Sequence, residues 1–184
     1  MGNICRYRAL AKEKMAENKQ LKAANATLKT EVERLKSLFA PPPAPTVKDK
    51  ISAQEVRELY EEIFPDNKDK IFLSDTEFKI TAISEIRRFV EWDNTDEFGY
   101  VKNEHDCDDF AESLAGSFSK YPEWSGYATS DIWGNYLNGH AFFTAVAWPS
   151  FEDRTPTVFY VEPQNDHEVV AEMVEGTELW MIAI

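Results

Sequence analysis

Apolar positions in the first forty residues recur by sevens. Leu21, Leu28 and Leu35 share one heptad position, d. Asn18, Asn25, Val32 and Phe39 share another, a, with Lys19, Lys22, Lys29, Glu31, Glu33 and Lys36 beside them. Upstream the same register runs through Tyr7, Ala11 and Lys14. Residues 6–39 contain no Gly and no Pro and are dominated by Ala, Lys, Glu, Leu and Asn, a helix-forming composition. The spacing predicts an N-terminal helix over 1–39 that associates with itself as a parallel coiled coil, dimer or trimer. Asn at a positions fixes register at some cost in stability.

The pattern then breaks. Residues 40–46 carry four prolines in seven residues, a stiff extended linker that cannot continue a helix. Residues 47–184 read as a separate head. Ser52 followed three residues later by Glu55 predicts a capping box, opening a helix with Val56, Leu59, Tyr60 and Ile63 on one face and Pro65 after its end. A short strand is predicted at 71–73. Next comes a helix capped by Ser84 with Ile86, Phe89, Val90 and Trp92 inward, then a helix from Asp106 or Cys107 with Phe110, Leu114 and Phe118 on its face. After Gly126 the period shortens, and 127–133, 140–148, 157–162 and 178–184 read as strands of an antiparallel sheet. Helices first and strands afterwards predict an α+β head on an N-terminal helical stalk.

A formal net charge of −13 makes phosphate backbones and anionic lipid poor partners, so neither nucleic acid nor membrane is expected. No apolar run reaches the length of a membrane-spanning helix. The two cysteines, Cys5 and Cys107, lie far apart in the chain, which favours a reducing compartment over a disulfide framework.

Cys107 is the one cysteine of the head. At a helix start it would feel the helix dipole, which favours a thiolate, and sit among free backbone N–H groups able to hold an oxyanion. His140 opens a later strand and Glu162 ends the next one, so neighbouring strands can place the carboxylate behind the imidazole. Asp106, Asp108 and Asp109 flank the cysteine and oppose a thiolate. Either they cap the helix, or a hard cation such as Ca²⁺ neutralises them. The sequence requires no cofactor. His105 is read as a capping or surface residue, His167 as exposed, and Trp133, Trp148 and Trp180 as core. Trp124, near Pro122 and Gly126, is read as an exposed recognition aromatic.

The strings Asp106–Ala111 (DCDDFA), Gly139–Ala141 (GHA) and Val161–Asp166 (VEPQND) resemble the C-terminal domain family of the Marasmius oreades agglutinin and its tailed-phage relatives. The stretch from Phe89 to Val101 is similar to the segment before the cysteine in the phage members. The resemblance spans about residues 55–165. It implies a papain-like cysteine-peptidase fold with Cys107 as nucleophile, His140 as base, Glu162 as orienter, and calcium dependence. No Gln lies between Gln54 and Cys107, so Asn103, with Gln164, is the candidate for the oxyanion and supporting positions. The implied function is a virion-associated thiol hydrolase in a virion or host cytoplasm, with other virion proteins as partners. The alternatives are a purely structural virion component with the same fold and, third, a carbohydrate-binding module.

Overall fold

The computed structural model describes residues 2–38, 40–46, 49–102, 104–136, 139–169, 174 and 177–184, with the side chains of the first helix described over 14–36. The chain divides into two compact units, Met1–Ala40 and Pro41–Ile184. The first is a helix, α1 (Gly2–Leu38), whose described side chains are all exposed. Ion pairs at i,i+3 spacing decorate it: Lys14–Glu17 at 2.6 Å, Glu31–Arg34 at 2.7 Å and Glu33–Lys36 at 3.0 Å. Such exposed pairs add little stability.

The head is a mixed α/β structure. Strand β1 (Asp49–Ser52) leads into helix α2 (Ala53–Ile63). The capping box is present: the Glu55 N–H donates to Ser52 Oγ at 3.2 Å, and the Ser52 N–H donates to Glu55 Oε2 at 2.9 Å. β1 pairs antiparallel with β3 (Glu77–Ile80), a two-stranded ribbon not anticipated from the sequence. The main sheet, among the described residues, has six strands: β2 (Ile71–Phe72), β8 (Leu179–Ala183), β4 (Thr129–Gly134), β5 (His140–Ala147), β6 (Thr157–Glu162) and β7 (His167–Glu168), in that spatial order. All pairs are antiparallel except β2–β8, which is parallel, so the expectation of a purely antiparallel sheet is corrected at that edge.

β5 is apolar almost without a break because it is covered on both faces. Phe142 and Val146 pack in one core with Val56 and Tyr60 of α2. Phe143, Ala145 and Ala147 pack in the other, with helices α3 (Ile83–Val90) and α4 (Cys107–Lys120). Thr144, fully buried between apolar neighbours, is satisfied by the Tyr60 hydroxyl at 3.0 Å. The N-cap of α3 is Ala82, not Ser84. The helix start is held by main chain instead: the Ile83 N–H donates to the Trp148 carbonyl at 2.8 Å.

Trp124 does not project as a recognition aromatic. It is fully buried beside Phe89 and Phe118, and its Nε1–H donates to the Pro42 carbonyl at 2.7 Å. The Arg88 guanidinium donates to the Pro43 carbonyl at 2.7 Å, so part of the expected linker lies on the head. Among the described residues, no helix is long and apolar enough to cross a membrane.

Candidate functional site

α4 starts at Cys107 because Asp106 and Asp109 close a capping box around its first turn, with the Asp106 N–H donating to Asp109 Oδ2 at 3.1 Å. This resolves much of the charge problem around the cysteine. Asp109 is a cap. Asp106 and Asp108 share a carboxyl–carboxyl hydrogen bond, which, ahead of burial, pushes the Asp108 carboxyl above its usual range. One oxygen from each and the Cys107 sulfur lie within 4.8 Å of one another, so of the three aspartates expected together, two meet at the thiol.

Burial pushes the Cys107 thiol up. The Ala141 N–H, aimed at the sulfur from β5, pulls the other way, and the charges of Asp106 and Asp108 push up again. The net direction is upward, so the resting group is a thiol and not the thiolate that the helix dipole alone would favour.

On the sheet side, His140 Nε2 and Glu162 Oε2 lie 2.6 Å apart, with both side chains mostly buried. Two features fix this pair. The imidazole packs edge-on against Phe142 at 4.6 Å between centroids. Glu162 Oε1 accepts the Gln164 N–H at 3.3 Å. Gln164 therefore supports the carboxylate through its main chain. With Nε2 engaged by the carboxylate, Nδ1 is the second nitrogen of the ring. Cys107 and His140 line one cleft of about 300 Å³, and no hydrogen bond joins them among the described residues. Asn103 lies outside the described residues.

Two further residues of the cleft were read from the sequence as core: Trp133 and Trp180. Trp180 is 47% exposed. The reason is a β-bulge. Gly134 pairs with Leu179 and Trp133 with Met181, so Trp180 is the extra residue between them. A bulge re-aims a side chain that strict alternation would have turned to the other face. Gly139 makes room for it. Its φ is +98°, and a Cβ there would lie 3.0 Å from the Trp180 ring. The one signal available in the sequence was Gly139 itself, next to His140. Trp148 is core as expected, and His167 is exposed. His105 is neither cap nor surface: its ring packs against Phe110 at 4.5 Å and Phe98 at 5.8 Å.

The surroundings are acidic. Burial, then Asp131, Asp108 and Asp109, push the Glu112 carboxyl on α4 upward. The cleft therefore combines exposed indole, a fixed imidazole–carboxylate pair, a protonated thiol and a negative rim.

No known family profile matches the chain, and no curated protein matches it. Its fold class is α/β of mixed type, and solved structures share that fold. One is a chain described as "PSL1a-E64 complex", at 19% identity and a TM-score of 0.59, covering 73% of this chain and 50% of that one. Another is the Polyporus squamosus lectin bound to the human-type influenza-binding epitope Neu5Aca2-6Galb1-4GlcNAc, at 20% identity and a TM-score of 0.58, covering 73% and 49%. The chain thus spans about half the length of the solved chains it resembles. These neighbours correct the labels papain-like, cysteine-peptidase-like and hydrolase: the named relative of like fold is a lectin. The comparisons bring no tailed-phage, virion, coiled-coil or calcium evidence.

Proposed function

We propose that the head is a carbohydrate-binding module whose ligand enters the cleft shared by Cys107, His140, Trp133 and Trp180. The observation that carries this is the bulged, half-exposed Trp180 beside fixed polar groups. A sugar ring presents a C–H face to an indole and hydroxyls to polar neighbours. A small concave site with an aromatic wall and a few positioned hydrogen-bonding groups suits that chemistry. The likeness in fold to a lectin solved with a glycan supports the reading. The acidic rim selects neutral glycans, because a sialylated or sulfated one would meet Asp108 and its neighbours as like charge. Binding of the full chain to neutral and to sialylated glycans, measured beside Trp180→Ala, tests the proposal. Neutral glycans should bind and the variant should lose them. Binding that ignores the substitution, or no glycan bound at all, sinks it.

A second reading is favoured by the His140–Glu162 contact and the Ala141 N–H aimed at the sulfur. Cys107 then acts as a nucleophile toward an acyl carbon of the bound ligand. The Sγ proton passes to His140 Nδ1, the imidazolium is held by Glu162, and sulfur bonds to the carbon as its leaving group departs. A solved structure of like fold is described as a complex with E64, and that likeness supports the reading. Iodoacetamide labelling, read by mass spectrometry on wild type and His140→Ala, separates the readings. Equal labelling rates in the two proteins would leave Cys107 a passive wall of the sugar cleft.

A further inference from the structure

We propose that α1 is a pairing element, and that its partner is α1 of a second copy of this chain, parallel and in register. The proposal stands on the helix alone and is independent of what the head binds. α1 has 37 residues, roughly 55 Å of helix. Every described side chain on it is exposed, including Leu21 at 56%, Leu28 at 62%, Val32 at 47% and Leu35 at 40%. These four fall on one stripe, and a lone helix with an uncovered apolar stripe is marginal in water.

The charges beside the stripe say what covers it. With Asn18, Asn25 and Val32 at a and Leu21, Leu28 and Leu35 at d, one flank (g) carries Glu17, Ala24 and Glu31. The other flank (e) carries Lys22, Lys29 and Lys36. In a parallel pair each g residue meets the e residue five positions further along the other helix. Glu17 then meets Lys22 of the partner subunit, and Glu31 meets Lys36 of the partner subunit. The same contacts recur by symmetry from the other copy. In an antiparallel pair like flanks meet, so lysine faces lysine and glutamate faces glutamate.

The asparagines agree. Asn18 and Asn25 meet their own counterparts in the parallel arrangement, where two amides can hydrogen-bond. In the antiparallel one each would face an apolar d residue and leave a buried amide unmatched. A polar a position of this kind also favours two strands over three. The contacts that Glu17 and Glu31 make within their own helix, to Lys14 and Arg34, are exposed and cost little to share.

Sedimentation of the full chain should give twice the monomer mass. Lys22→Glu with Lys36→Glu should weaken association about tenfold or more, and adding Glu17→Lys with Glu31→Lys should restore it. Leu21→Cys, in a background of Cys5→Ser and Cys107→Ser, should crosslink the copies on oxidation. Residues 21 face each other only in the parallel register. A monomeric or trimeric mass, a dimer that does not crosslink at residue 21, or a charge reversal without effect each overturns the proposal. Head unfolding, followed separately, shows that the substituted chains are folded.

Discussion

α1 and α4 are both helices with one apolar stripe, yet they show opposite chemistry. On α1 the carboxylates sit in water, and hydrogen bonding to Arg34 holds Glu31 below its usual range. On α4, Phe110, Leu114 and Phe118 are buried against the sheet side of the head. There the carboxyl of Asp108 is pushed up by Asp106 and by burial, and Cys107 is pushed up with it. The carboxylates differ first by their hydrogen-bond partner, a guanidinium on α1 and a second carboxyl on α4, and burial adds to the upward push on α4. A helix that packs against a sheet can build a site at its tip, while an exposed one offers only a surface.

The sharpest way to test this contrast is to remove what α4 packs on. Phe143→Ala deletes a fully buried ring stacked 5.3 Å from Phe118 and should cost about 3–5 kcal/mol of head stability in denaturant unfolding. A loss below about 1 kcal/mol would mean that the two-faced core is not what holds the tip of α4.

Next in size is Trp180→Ala, expected to lower glycan affinity about thirtyfold, near 2 kcal/mol, with unfolding unchanged. Calorimetric titration reads this directly.

A third test uses acidity inside the head. Burial, then the charges of Asp96, Asp93 and Glu91, raise Asp166 to about 7. The folded head therefore holds this proton where the unfolded chain has released it, so stability falls as pH rises from about 4 to about 7. Asp166 has φ of +57°, a conformation Asn tolerates well. Asp166→Asn should stabilise the head by about 1–2 kcal/mol at pH 8, after allowance for solvent screening, and by nearly nothing at pH 4. A gain independent of pH would assign the effect to the turn.

A smaller effect is expected at the thiol. Asp106→Asn with Asp108→Asn removes two charges that push Cys107 up, and should speed its alkylation several-fold at pH 7.5. Smallest of all, Leu28→Ala on α1 should leave head unfolding within about 0.5 kcal/mol. A larger shift would show that the helix and the head unfold as one.

Much of this was legible in the residues. The Ser52–Glu55 box, the start of α4 at Cys107 and the strands carrying His140 and Glu162 all follow from local signals: caps, periods and glycines. The pairing of His140 with Glu162 was also legible, because antiparallel neighbours β5 and β6 bring the two ends together. Trp124 was misread because an indole beside Pro and Gly looks like a loop residue, and only packing shows that Phe89 and Phe118 enclose it. Trp180 was misread for the converse reason. A strand period assumes an unbroken ladder, and the bulge opposite Trp133 and Gly134 breaks it.

From its order of residues alone this chain determined where α2, α4 and the strands carrying His140 and Glu162 begin, that the first helix and the head differ in character, and which thiol, imidazole and carboxylate share one end of the fold. Those are local matters, set by hydrogen-bonding caps and by side-chain period. Only the tertiary structure decided that Trp180 and not Trp124 faces the cleft, and that burial pushes the Cys107 thiol up. The exposure of Trp180 depends on strand register, and the state of Cys107 on burial and on a main-chain N–H from a distant strand, and neither is carried by any single stretch of residues.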